Sequence, residues 1–156
     1  MSKKKYTIAQ ILPALNTGGV ERGVVEISGA LTKNNFRSIV ISSGGHMESQ
    51  LRRNGTTHYK LDVNTKNPFR WAKIRSQLKI ILVKEKVDLL HLCSRAPAWI
   101  AFPLGSVLNI PVITSVHMRF RKTNIFKKIY NSILTKGDAI IAISNHIDKS
   151  IKSTFP

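Results

Sequence analysis

The sequence predicts an α/β fold, a Rossmann-like three-layer αβα domain on a mainly parallel sheet of about six strands. Three observations lead there. Six short runs rich in β-branched residues recur along the chain, helical stretches separate them, and the first unit reads as strand, glycine loop, helix. Parallel neighbours need crossover helices, which that alternation supplies.

Tyr6 to Leu12 form the first strand, Asn16-Thr17-Gly18-Gly19 the turn after it, and Val20 to Leu31 a helix with apolar residues at helical spacing. Arg37 to Ser42 form a second strand closed by Ser43-Gly44-Gly45, and a short helix through Gln50 to Arg53 leads to a third strand at His58 to Leu61. From Phe69 to Lys86, Trp71, Ile74, Leu78, Ile81 and Leu82 make one apolar stripe on an otherwise basic helix. Asp88 to Cys93, Pro111 to Val116 and Asp138 to Ile143 supply three more strands. Pro97 to Leu108, the stretch holding Phe126, Ile129, Tyr130 and Ile133, and Ser144 to about Ser153 supply the helices between and after them. Right-handed crossovers leave few topologies, of which 3-2-1-4-5-6 fits this order.

The 156 residues, 42% of them apolar, form one domain, 1–156, with enough apolar surface to bury a core without disulfides or metal. Lys3, Lys4 and Lys5 imitate the start of a signal peptide, but Gln10, Pro13 and Asn16 break the apolar stretch that follows. No run approaches the roughly 20 apolar residues needed to span a bilayer. Cys93 has no partner cysteine in the chain, as is usual in a reducing cytosol, and it lies in an apolar strand where a small buried residue is expected. A catalytic thiol is the alternative.

A net charge of +17, from 25 basic and 8 acidic residues, attracts anionic partners. Between Asp88 and Asp138 the chain has no acidic residue but carries Arg95, Arg119, Arg121, Lys122, Lys127, Lys128 and Lys136. A well-solvated basic surface is the plain alternative.

In an open sheet of this kind ligands bind beyond the carboxyl ends of the strands, where strand order reverses. Gly18 and Gly19 there let backbone amides approach a phosphate or sugar, with a helix N-terminus behind them, although a tight turn without ligand needs glycine equally. Arg95 offers a planar five-donor group to phosphate or carboxylate, or serves as an ordinary surface arginine. His117, at the end of the fifth strand, is placed to bond a sugar hydroxyl or carry a proton, or to be structural. Ser144 has the position of a helix N-cap. The G-x-G-x-x-G fingerprint is absent, and Ser42-Ser43-Gly44 offers no acid for a ribose, which argues against a dinucleotide enzyme.

Taken in order, Ile11-Leu12-Pro13-Ala14-Leu15-Asn16-Thr17-Gly18-Gly19-Val20-Glu21-Arg22-Gly23, Ser94-Arg95-Ala96-Pro97-Ala98-Trp99, Pro111-Val112-Ile113-Thr114-Ser115-Val116-His117 and Asp138-Ala139-Ile140-Ile141-Ala142-Ile143-Ser144 carry a resemblance. The chain resembles the N-terminal domain of a glycosyltransferase of family 4, a retaining enzyme of the GT-B fold. The resemblance implies that Gly18 and Gly19 lie beside the donor diphosphate and acceptor and that His117 contacts the transferred sugar. Arg95 and Ser144 join them as donor-phosphate or acceptor residues. Met118 stands where the family often has glycine or aspartate, and Asn34-Asn35-Phe36 replace its usual Arg-Gly-His.

The resemblance further implies a hexosyltransferase-type enzyme that needs no cofactor and no metal. Its partners would be a nucleotide-sugar donor and a glycan or lipid-linked acceptor in cell-envelope polysaccharide or lipopolysaccharide synthesis. The C-terminal nucleotide-sugar-binding domain, with its paired glutamates, is expected on a longer chain or a separate partner, and residues 1–156 alone are expected to be inactive. The apolar stripe Phe126, Ile129, Tyr130 and Ile133 is expected to pack on the sheet, with an interfacial helix as the alternative. Arg119, Arg121, Lys122, Lys127 and Lys128 form a basic patch suited to an anionic membrane surface, so the expected location is cytoplasmic, with peripheral attachment at the inner face of the plasma membrane. Two rivals are a non-catalytic basic module binding RNA or another polyanion and another Rossmann-like nucleotide-binding enzyme. RNA-binding aromatic motifs are absent, and no nucleic acid partner is expected.

Overall fold

Alternate residues of each strand face opposite ways, and here both faces are apolar, so the sheet must be covered on both. In the computed structural model, which describes residues 5–65, 67–120 and 124–155, that is the outcome for the central strands, whereas Ile140 and Ile141 of the last strand stay exposed. The elements run β1 (Thr7–Ile11), α1 (Gly19–Lys33), β2 (Arg37–Ser42), α2 (Glu48–Arg53), β3 (Thr57–Lys60), α3 (Pro68–Lys84), β4 (Leu89–Leu92), α4 (Arg95–Leu108), β5 (Val112–Val116), α5 (Ile125–Ser132) with a 3-10 turn over Ile133–Thr135, β6 (Ala139–Ala142) and α6 (Asn145–Thr154). The strands form one sheet ordered β3-β2-β1-β4-β5-β6, every pair parallel, which is the predicted topology.

One face packs Leu12, Val40 and Cys93 against Val24 and Val25 of α1 and Met47 and Leu51 beside α2. The other packs Ile11, Ile41, Leu90, Leu92 and Val116 against α3, α4 and α6. In α3 the buried residues are Ile74, Leu78 and Leu82, three members of the predicted stripe. The crossover from β3 to β4 therefore changes faces, and β1 and β4 become neighbours whose following helices diverge. A crevice opens between them.

Two aspartates align the opposite end of the sheet. Thr7 N donates to Asp88 Oδ2 at 2.9 Å and Val112 N to Asp138 Oδ2 at 2.7 Å, fixing where β4 meets β1 and β6 meets β5. Helix α4 begins at Arg95, earlier than expected, because Pro97 falls in the first turn, where a missing N–H leaves no bond unmade. Pro103 lies in its interior and cannot donate to the Trp99 carbonyl. Arg75 of α3 takes over, donating to Trp99 O at 3.2 Å and to Ile100 O at 2.9 Å.

Candidate active site

The crevice is lined from three strand ends. A cavity of about 650 Å³ has walls formed by Val20 at the start of α1, Cys93 to Ala96 between β4 and α4, Ser115 to Phe120 after β5, and Lys127, Tyr130 and Asn131 of α5. The sequence-predicted residues Arg95, His117, Arg119 and Lys127 all stand in this lining.

The glycine loop leads into the lining at Val20, but Gly18 and Gly19 themselves are not among the lining residues. Gly18 caps α1 in an extended conformation that any residue adopts, so its backbone angles do not demand glycine. Nor does space: a Cβ there would meet only the end of the Glu21 side chain, which folds back over the helix start and can swing aside. Gly19 opens α1 with nothing near its missing Cβ, leaving the first turn of amides open to an anion. The Glu21 charge also reaches His117, which ties this loop to the strand-five end electrostatically.

The segment after β2 holds the loop in place. Leu15 N donates to Gly44 O at 2.9 Å, Met47 N to Leu15 O at 3.0 Å and Ser43 N to Pro13 O at 3.1 Å, while Thr17 Oγ1 and His46 Nε2 pair at 2.8 Å. Gly45 has φ +150, and a Cβ on it would overlap the Leu15 backbone, so glycine is required on both counts. Beneath lies a row of Ser42, His58 and Glu48, with Ser42 Oγ 2.9 Å from His58 Nε2 and His58 Nδ1 3.6 Å from Glu48 Oε2. Ser42 is fully buried and accepts from Gly44 N, so this row braces the loop and presents no nucleophile.

Arg95 is the first residue of α4. Its Nη1 donates to Asn131 Oδ1 at 2.8 Å and its guanidinium lies 5.8 Å from the Tyr130 ring centre. Held this way, it presents its remaining donors along the cavity wall. His117 stands just past β5, half-buried, with Nε2 2.9 Å from Ser115 Oγ. Burial pushes its pKa below the usual histidine value, and Glu21 partly opposes that. Among the described residues the cavity lining holds no carboxylate but does hold Arg95, Arg119 and Lys127, so away from Glu21 the site favours an anion.

Ser144 caps α6, its Oγ accepting from Ile147 N at 3.3 Å, and is not among the cavity-lining residues. Lys128 lies over the Phe155 ring at 5.8 Å, outside the cavity. Arg121 and Lys122 lie outside the described residues. Cys93 is buried and its thiol is pushed up to about 12 by desolvation, which removes it as a nucleophile at neutral pH. Among the described residues no group of three His, Cys, Asp or Glu side chains could hold a metal ion, and no helix is long and apolar enough to cross a membrane.

The expectation for the stripe on α5 needs correction. Ile133 is buried and Tyr130 half-buried, but Ile129 is exposed and Phe126 is 78% exposed, with Ile125 and Met118 exposed beside it. The helix is only eight residues long and turns into a 3-10 segment, so one end of the stripe meets the core and the other projects past it.

Sequence reading missed Asn131, Ser115 and the bracing Gly45. Ser115 had a signal, being two residues before His117 on the same strand face. Asn131 had none.

The sequence profile of glycosyltransferase family 4 matches residues 17–156. No curated protein matches the chain significantly. A solved glycosyltransferase from Rickettsia africae superposes with a TM-score of 0.80 at 37% identity, over 94% of this chain and 39% of that one. Anabaena HepE, solved with UDP-glucose, gives a TM-score of 0.76 at 11% identity, over 96% and 40%. The lipopolysaccharide outer core galactosyltransferase WaaB gives 0.67 at 16%, over 96% and 43%. At such identities the last two speak for the fold alone. The chain spans about two-fifths of the length of these structures.

Proposed function

Because the chain belongs to glycosyltransferase family 4 and forms one half of a GT-B fold, we propose that it is the N-terminal, acceptor-side half of a retaining hexosyltransferase. It would pass a sugar from a nucleotide-sugar donor to a glycan or lipid-linked acceptor in cell-envelope polysaccharide or lipopolysaccharide synthesis. The observation that carries this is the gathering of the α1 start, Arg95 and His117 around one cation-lined cavity at the strand ends.

Residues 1–156 supply positioning and charge. The amides at Gly18 and Gly19 and the guanidinium of Arg95 face the departing diphosphate, and His117 faces the transferred sugar. The leaving phosphate takes the acceptor proton on the same face of the sugar, so neither metal nor protein nucleophile is required. A second α/β lobe brings most of the donor, and the isolated half is inactive. That HepE was solved with UDP-glucose supports a nucleotide-sugar donor.

The test joins residues 1–156 to the remaining part of the Rickettsia africae glycosyltransferase and measures donor-dependent release of nucleoside diphosphate. Transfer that disappears with His117→Ala supports the reading. A folded chimera that binds donor but transfers nothing overturns it.

The exposed end of α5 favours a second element, attachment to an anionic membrane. Ile125, Phe126 and Ile129 project beside Lys127 and Lys128, with Arg119 and Met118 at the cavity mouth. Apolar side chains entering the headgroup region and lysines meeting acidic lipid would seat the cavity over a lipid-linked acceptor at the cytoplasmic face. Sedimentation with acidic but not neutral vesicles is expected, and equal sedimentation with both would overturn the attachment.

A further inference from the structure

We propose that this chain meets an anionic bilayer through two anchors, Phe69 at the start of α3 and Phe126 at the start of α5, which flank the cavity mouth and turn it toward the lipid surface. The inference rests on the membrane attachment read from α5 and adds to it a second anchor and an orientation.

Connectivity puts both anchors at one end of the sheet. Helix α3 follows β3 and α5 follows β5, so each begins beyond the carboxyl ends of the strands. Phe69 is 93% exposed and Phe126 78%, which makes them the two most exposed large apolar side chains among the described residues. Both adjoin the cavity, since Asn64 in the loop before α3 and Lys127 beside Phe126 belong to its lining.

Three hydrogen bonds hold the helix starts level. Arg75 of α3 donates from Nε to Ile100 O at 2.9 Å and from Nη2 to Trp99 O at 3.2 Å, and Trp99 of α4 donates from Nε1 to Tyr130 O of α5 at 3.1 Å. Arg75, Trp99 and Tyr130 each stand about one to two turns into their helices, so α3, α4 and α5 begin side by side and their first turns form one braced rim. With neighbouring helix axes about 10 Å apart, the two rings stand roughly 20 Å from each other across α4.

Charge selects the lipid. None of α3, α4 and α5 contains an aspartate or glutamate, while Lys73, Lys79, Lys127 and Lys128 stand exposed on α3 and α5. Glu21, Glu26 and Glu48 lie on α1 and α2, across the sheet. The layer that carries the exposed rings is therefore the one drawn to acidic headgroups. Two anchors on a braced rim also fix the tilt, which a single anchor on α5 leaves free. With both rings inserted, the carboxyl end of the sheet turns to the bilayer, and the amino end turns away with Val107, exposed near the end of α4.

Spin labels test this on the 156-residue chain, because its one cysteine, Cys93, is buried and leaves an introduced thiol to react alone. Phe69→Cys, Phe126→Cys and Val107→Cys are labelled separately and mixed with vesicles of phosphatidylcholine and phosphatidylglycerol. The labels at 69 and 126 are expected to lose collisions with a water-soluble nickel chelate and gain collisions with oxygen, and the label at 107 to keep its aqueous exposure. Phe69→Ser is expected to weaken vesicle binding about tenfold, as Phe126→Ser does, with circular dichroism unchanged. A label at 69 that stays aqueous while the one at 126 enters lipid would leave α5 as the single anchor and overturn the proposal. Entry of the label at 107, binding indifferent to Phe69→Ser, or binding with every label aqueous would overturn it too. Absence of binding would sink the α5 attachment with it, whereas an inactive chimera would sink the transferase reading and leave this result standing.

Discussion

Arg95 and Asn131, 36 residues apart, meet at 2.8 Å, and that bond fixes the guanidinium at the start of α4 against the side chain of a buried asparagine on α5. Removing the acceptor leaves the arginine hydrated rather than stranded, because it is only half-buried. Asn131→Ala is therefore expected to cost about 1 kcal/mol of stability, read by denaturant unfolding. It should weaken pyrophosphate binding by calorimetry less than Arg95→Ala does. Equal losses would mean that Arg95 acts only through its place in the fold.

In the chimeric transferase proposed above, His117→Ala should lower kcat by about a hundredfold while changing the acceptor KM little, because the contact proposed for it, to the transferred sugar, would matter most at the transition state. Steady-state kinetics separate the two parameters. A change in KM alone would move His117 out of the reacting region.

Gly45→Ala tests the brace. A left-handed φ and overlap with the Leu15 backbone both act, so a loss of about 2 kcal/mol in unfolding free energy is expected, together with weaker pyrophosphate binding through displacement of the glycine loop. Gly19→Ala, which meets open space, should leave stability within about 1 kcal/mol of the parent.

Acid should weaken the fold through His91. Desolvation lowers its pKa to about 4, with the His117 charge adding to the effect, against an unfolded value near 6.5. Between those values the unfolded chain binds the proton and the folded one does not, so stability falls as pH drops from about 6.5 to about 4 and then levels for this group. The loss approaches about 3 kcal/mol if desolvation is the whole cause. A His91→Gln variant should show a flatter pH profile of unfolding midpoints, and an unchanged slope would assign the acid sensitivity elsewhere.

On α5, Phe126→Ser should reduce sedimentation with acidic vesicles by roughly tenfold or more, given about 2 kcal/mol for burying the ring. Lys127→Gln and Lys128→Gln should each reduce it about fivefold, at about 1 kcal/mol per charge near an anionic surface. Circular dichroism should stay unchanged, since all three side chains are exposed.

The sequence by itself determined the class of fold, the strand order and the end of the sheet at which the crevice opens. Strand runs buried on both faces allow only a covered parallel sheet, and handed crossovers leave that sheet few arrangements. Periodicity also located the buried stripe of α3, because a long helix repeats its pattern often enough to be read. Tertiary structure decided which partners meet across distance. Asn131 reaches Arg95, Glu21 folds over Gly18 toward His117, and Arg75 bonds the carbonyl that Pro103 leaves open. It also decided that Phe126 faces solvent while Ile133 is buried. Local pattern specifies which side of an element is apolar, whereas the neighbour that covers it, or fails to, is set by the packing of segments far apart in the chain.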